Sequence, residues 1–204
     1  MMKNKMKVLL TGGTGFIGTK FVEKFSKKFN LIIFSSKEKI QEQKIIKIIK
    51  KINPDVVIHL AALSGLKNCE LDQKKAFDVN VIGTENIVKG CIKNNSRLIF
   101  LSSIEVYGST VIKKSNENDK LEPISVYGQT KMKAEEIIQK YGKKENLDYT
   151  ILRLSNVYGP GSKSGINRLI VDALNKKKII INGGEQILNL IFINDVIQIL
   201  YLIL

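Results

Sequence analysis

Short runs of Val, Ile and Leu alternate along the chain with longer stretches in which apolar and charged residues mix at helical spacing. "KVLLTG" (7–12), "LIIFSS" (31–36), "DVVIHLAA" (55–62), "RLIFLSS" (97–103), "YTILRLS" (149–155) and "KIIIN" (178–182) are too short for helices. Their continuous apolar character predicts strands buried on both faces of a parallel sheet. Between them the spacing predicts helices at 16–28, 41–52, 72–94, 127–145 and 165–177, several with Lys in the last turn, where it complements the helix dipole. Strand and helix alternating in this order imply a doubly wound α/β fold. The polar, aperiodic segment 109–124 predicts a loop following a strand, on the side of such a sheet that faces ligands.

Composition changes this picture little. A chain of 204 residues, 44% apolar and 25% charged, buries one ordinary core. The net charge of +14 admits an anionic partner, yet Arg97, Arg153 and Arg168 are the only arginines and the lysines are spread over helix-like stretches. Readers of phosphate and bases favour the planar arginine fork with interleaved aromatics, so solvated helix faces are the better reading and a nucleic-acid partner is disfavoured. Cys69 and Cys91 lack the spacing of a metal or disulfide framework, and His59 is the sole histidine, so no metal is expected and a reducing cytoplasm fits. Neither "MMKNKMKVLLTGG" nor the apolar run 190–204, which contains Asn194 and Asp195 and falls short of the ~20 residues of a spanning helix, predicts a signal or an anchor. His59, inside an apolar strand, reads as packed and hydrogen-bonded rather than as a base or ligand.

Candidate chemistry starts in "VLLTGGTGFIG". Gly12, Gly15 and Gly18 follow the first strand and open a helix, the context in which glycines let a backbone turn sharply, approach a pyrophosphate and pack helix on strand. This reads as a dinucleotide-binding turn in a Rossmann-like sheet. The second strand ends in Ser35, Ser36 and Lys37, where NAD binding calls for an acidic residue; hydroxyls and a cation favour NADP over NAD. Further on, "VYGQTK" sets Tyr127 and Lys131 one helical turn apart, either as a proton-transfer pair or as two residues sharing a face.

"TGGTGFIG" (11–18), "PDVVIHLAA" (54–62), "NVIGTENIV" (80–88), "LSSIEVYG" (101–108), "PISVYGQTK" (123–131), "LRLSNVYGPG" (152–161) and "IFINDV" (191–196), in that order, resemble the extended short-chain dehydrogenase/reductase family, the NAD(P)-dependent sugar epimerase/dehydratase group. The resemblance implies that Phe16 and Ile17 line the pyrophosphate site, that Leu60, Ala61 and Ala62 pass under the cofactor, and that Asn80 holds structure near the nicotinamide. It implies Ser103, Tyr127 and Lys131 as the catalytic set, with Lys131 also holding the cofactor, and Ser103 and Asn156 as contacts to a sugar or nucleotide-sugar substrate. Lys131 and an oxidised nicotinamide are then expected to bring the Tyr127 phenol, ordinarily near pKa 10, toward neutrality.

Departures refine the expectation. Ile104 precedes Glu105 where dehydratases of the group carry an acidic pair, which favours an epimerase, with a sugar reductase or a non-catalytic cofactor- or RNA-binding relative as alternatives. Leu188 stands where an arginine would meet a nucleotide diphosphate, and no "GD-x-D" type sequence is found at "KEKIQEQ". Residues 1–160 are expected to form the NAD(P)-binding Rossmann domain and 161–204 a truncated C-terminal substrate lobe. Its last helix, "VIQILYLIL", has no evident cover. A homodimer through helices near 72–94 and 127–145 is implied by the resemblance.

Overall fold

The structure is a computed structural model that describes residues 5–34, 42–112, 115–180, 183–184 and 187–204. The chain divides into two compact units, 1–153 and 154–204.

The first unit is built on a five-stranded sheet in the order β2-β1-β3-β4-β5, from β1 (Lys7–Thr11), β2 (Asn30–Phe34), β3 (Val56–His59), β4 (Arg97–Ser103) and β5 (Tyr149–Leu154). β1 pairs in parallel with β2 and β3, and β3 with β4, in the registers Leu9↔Ile32, Leu9↔Val57 and Ile58↔Ile99. Val8, Leu9, Leu10, Val57, Ile58, Leu98 and Ile99 are fully buried, which explains why the central strands read as unbroken apolar runs.

Helices cover the sheet by their apolar stripes. In α1 (Phe16–Phe25), Phe21 and Phe25 lie one turn apart, and Phe21 stacks on Phe29 at 6.5 Å. In α2 (Glu42–Ile52) the stripe is Ile45 and Ile49, both fully buried, with lysines on the outer face. Ile49 packs on Gly90 of α5 (Gly83–Asn94), and α5 adds Ile87, Val88 and Cys91 to the same core. α5 and α6 (Val126–Glu145) both stop at an asparagine in the left-handed conformation, Asn95 and Asn146, each at φ 53°.

The helix expected over 72–94 forms over 73–94, and a short helix that the spacing did not predict precedes it. α3 (Leu66–Leu71) ends and α4 (Gln73–Phe77) begins at Asp72, whose carboxylate accepts a hydrogen bond from the Lys75 amide at 3.0 Å. A side chain that caps a new first turn competes with continuation of the old helix. A π-helical turn, Asp78–Ile82, then carries Asn80 before α5 starts. The extra residue of such a turn shifts the helix register, and it commonly marks a functional position.

In the second unit, β6 (Asn156–Tyr158) and β7 (Leu190–Phe192) pair in parallel, with α7 (Gly165–Leu174) between them and α8 (Ile193–Leu202) at the end. The strand expected at 178–182 does not form over its described residues: 178–180 are irregular, and Ile180 is 72% exposed. The pairing goes instead to two three-residue segments too short to read from an apolar pattern. The terminal run also departs from expectation. α8 packs on β6 and β7, Ile193 sits against Gly159, and Val196, Ile197 and Leu200 are buried, so this face does have cover. Among the described residues no helix is long and apolar enough to cross a membrane.

Ile49→Ala opens a cavity between α2 and α5. It is expected to destabilise the protein by about 2–5 kcal/mol, read as a lower urea midpoint with unchanged slope.

Candidate functional site

Thr11 is the last residue of β1, and the chain leaves it through Gly12 at φ +72°. A Cβ on Gly12 would stand 2.6 Å from the Ala61 nitrogen, so only glycine allows the backbone after β3 to lie against this turn. Leu60 N–H donates to the Thr11 carbonyl at 3.1 Å and Ala61 N–H to the Thr11 hydroxyl at 3.3 Å, bringing Leu60 and Ala61 beside the glycines, with Ala62 next in the loop. Gly15 is the N-cap of α1, and Gly18 packs on the Gly12–Gly13 backbone. No side chain caps α1 and its first turn, which includes Phe16 and Ile17, has no acidic residue. The positive end of the helix dipole therefore meets no carboxylate of its own first turn. A helix start of this kind can hold an anion through its backbone N–H groups.

Ser103 ends β4, and the first turn of α6 is drawn close to it. Ser125 Oγ caps that turn, accepting from the Gly128 amide at 3.0 Å. A Cβ on Gly128 would lie 2.5 Å from the Glu105 carbonyl oxygen, so the glycine between Tyr127 and Lys131 is what lets the helix approach the strand end. Tyr127 comes close enough to Ser103 there for the serine hydroxyl to favour its phenolate form. Lys131, one turn on, is buried at 3% exposure; its Nζ donates to the Leu101 carbonyl at 2.7 Å and lies 4.5 Å from the Phe100 ring centroid and 6.0 Å from that of Tyr127. Ser103, Tyr127 and Lys131 are thus brought together at the C-terminal end of the sheet.

Burial dominates the electrostatics of the pair. Burial, with the charges of Cys69 and Glu105, pushes Tyr127 up to about 12, against the opposing hydrogen bond from Ser103. Burial brings Lys131 down to about 8, with Glu135 and Cys69 opposing. Among the chain's own groups, desolvation of the phenolate outweighs the favourable interaction with Ser103.

Behind the site lies a set of residues that periodicity alone does not flag as functional. Asn80, 2% exposed, accepts from the Leu63 amide at 2.8 Å and donates to the Leu63 carbonyl at 3.1 Å and to Thr130 Oγ1 at 3.0 Å. It thereby clamps the loop after β3 to α6. Glu135, fully buried, faces Arg153 of β5, whose Nε and Nη2 donate to both carboxylate oxygens, with the shortest contact at 2.7 Å. Ser102 also donates to Glu135, and Arg153 Nη1 donates to the Tyr107 hydroxyl at 2.7 Å. The hydrogen bonds that Arg153 donates to Glu135 hold the Arg153 pKa well above its ordinary value. Glu135 follows Lys131 by one more turn, so the stripe Tyr127, Lys131, Glu135 was the signal available in the sequence.

The remaining site residues fall elsewhere. Ser35, Ser36 and Lys37 lie outside the described residues. Asn156 is on β6 of the second unit, exposed, its amide nitrogen donating to the Asn189 carbonyl at 3.3 Å. A cavity of about 900 Å³ lined by Lys5, Lys7, Asn30 and Asp55 opens at the N-terminal ends of the strands, the end opposite Ser103 and the glycine turn. Ligands of open α/β sheets bind at the other end, so it is not the candidate site.

The model of the NAD dependent epimerase/dehydratase family matches residues 8–204. A protein of Methanocaldococcus jannaschii, provisionally named a UDP-glucose 4-epimerase, is 31% identical over 93% of this chain and 70% of its own length. A dTDP-D-glucose 4,6-dehydratase of Dictyostelium discoideum is 30% identical over 94% of this chain and 54% of its own. The structure of the Thermotoga maritima UDP-glucose 4-epimerase with UDP-glucose superposes with a TM-score of 0.86 at 27% identity, covering 95% of this chain and 71% of that one.

Two outcomes follow from this geometry. His59 is fully buried, and burial together with the Lys131 charge lowers its pKa to about 3 from an ordinary 6.5. The unfolded chain therefore binds the extra proton first, so stability is full above about pH 6.5 and falls toward pH 3; His59→Gln is expected to flatten that part of a pH-denaturation profile. Glu135→Gln leaves Arg153 without its counter-charge and is expected to cost about 3–5 kcal/mol in urea unfolding.

Proposed function

The chain belongs to the NAD dependent epimerase/dehydratase family, and on that premise we propose that it is an NAD(P)-dependent epimerase of a sugar carried on a nucleotide. The observation that carries this reading is the meeting of Tyr127 with Ser103 at the end of β4, with the buried Lys131 ammonium 6.0 Å from the Tyr127 ring centroid. The glycine turn would hold the cofactor pyrophosphate at the N-terminus of α1, with the Leu60–Ala62 backbone and Lys131 holding the rest of the dinucleotide. When bound, the dinucleotide supplies reversible hydride acceptance at the sugar carbon.

Tyr127 Oη takes the proton of the sugar hydroxyl, and Ser103 Oγ donates a hydrogen bond to the same oxygen and orients it. A phenol at about 12 costs about 7 kcal/mol to ionise at pH 7, so a free phenolate is not the resting base. Tyr127 therefore takes the sugar proton only after its own proton has gone to solvent, an ionisation that the positive charge of an oxidised nicotinamide beside it would favour. Ile104, beside Glu105, offers no second acid for loss of water, which supports epimerisation over dehydration.

UDP-glucose is the probe substrate because a relative of high structural similarity was solved with it. Tyr127→Phe is expected to lower kcat for formation of the 4-epimer by about 10²–10⁴-fold while leaving the Kd for NADH, followed by its fluorescence, unchanged. Turnover by Tyr127→Phe at the level of the parent protein removes the catalytic assignment. NADP in preference to NAD rests on Ser35, Ser36 and Lys37, and a tighter Kd for NADPH than for NADH is its expected sign.

A further inference from the structure

Resting on that reading, we propose that His59 is a positioning residue: locked as its Nε2–H tautomer, it ties the phosphate-binding turn to the helical turn that carries Tyr127. The tautomer follows from counting protons. Thr84 Oγ1 has one hydrogen and gives it to the Asn80 carbonyl at 2.6 Å, so toward His59 Nε2 at 3.0 Å it can only accept. Nε2 therefore carries the ring proton. Nδ1 is left with a lone pair and accepts from the Thr11 hydroxyl at 2.6 Å, and that hydroxyl oxygen, its proton committed, accepts from Ala61 N–H.

The path continues at both ends. Thr11 adjoins Gly12. Asn80 passes from its carbonyl, bound by Thr84, to its side-chain amide, bound to Leu63 and to Thr130 Oγ1. Thr130 spends its own proton on the Tyr127 carbonyl at 2.8 Å, so it too has one direction. An unbroken chain of hydrogen bonds thus runs from the residue before Gly12 to the backbone of Tyr127.

His59 is the member that suits the middle. It is fully buried, donates on one edge and accepts on the other, and packs on Phe100, the ring over which Lys131 sits. A neutral ring is required, since a protonated one would present a second donor to Thr11 and a second cation near Lys131. Displacing the ring frees the turn and the helix to settle independently, and misplacement of a reacting group by about 1 Å costs up to about 100-fold.

The chain has a single histidine, so ¹⁵N-histidine labelling reports this ring alone. The expected spectrum shows Nε2 protonated and Nδ1 not. Thr84→Val removes the acceptor of the Nε2 proton and is expected to shift the amide resonances of both Gly12 and Tyr127, and Thr84→Ser to return them. With NAD bound and UDP-glucose as substrate, Thr84→Val is expected to lower kcat about tenfold with KM within about twofold, and Thr84→Ser to restore kcat. A proton on Nδ1, amides that do not move, or parental kcat in Thr84→Val overturns the proposal. His59→Gln serves as the second variant, with the same amides read. If the parent protein neither binds NADH nor turns over UDP-glucose, the functional reading fails, while the ring and amide spectra, which need no ligand, still decide this inference.

Discussion

The hydrogen bond from the buried Lys131 ammonium to the Leu101 carbonyl is the constraint on which the site depends. Removing an ammonium from water is costly, and it is tolerated here because the group donates to a strand-end carbonyl, lies over the Phe100 ring and feels the Glu135 carboxylate one turn away. Satisfying it draws α6 onto the C-terminal end of β4. Once that contact is made, Ser125 caps the helix, Gly128 permits the close approach to Glu105, and Tyr127 is delivered to Ser103.

Charge in this region is arranged in two layers. Near the reacting groups it is a single buried cation and an un-ionised phenol, each shifted by burial in the direction that opposes its charged form. Behind them the Glu135–Arg153 pair, with Ser102 and Tyr107, closes a satisfied network that binds α6 to β5. The second layer contributes rigidity more than stability, because a buried ion pair recovers little beyond its own desolvation cost. Its use is to hold β4, α6 and β5 in one arrangement, so that the first layer meets substrate preorganised.

Much of the first unit was legible before any coordinates. Central strands buried on both faces must be continuously apolar, helices that pack by one face must repeat, and a helix that opens on a phosphate must begin in glycine. These local requirements leave marks at Val8–Leu10, at Ile45 and Ile49, and at Gly12, Gly15 and Gly18. The short strands of the second unit left none, since three residues cannot display a period. The short α3 and the π-helical turn at Asp78–Ile82 also escaped, because six residues hold too little of a helical period and a one-residue shift of register is lost within a long one.

The sequence by itself determined the alternation of strands and helices in the first unit, the glycine turn and the spacing of Tyr127 and Lys131, because each is a property of neighbours along the chain. Only the tertiary structure decided the protonation of the site and the company its residues keep. The rise of Tyr127, the fall of Lys131 and the neutral His59 come first from burial, and the rise of Tyr127 and the neutrality of His59 also from charges far off along the chain, Cys69 and Glu105 for Tyr127 and Lys131 for His59. Desolvation and distant contacts depend on where chain segments meet in space, and no local pattern records that.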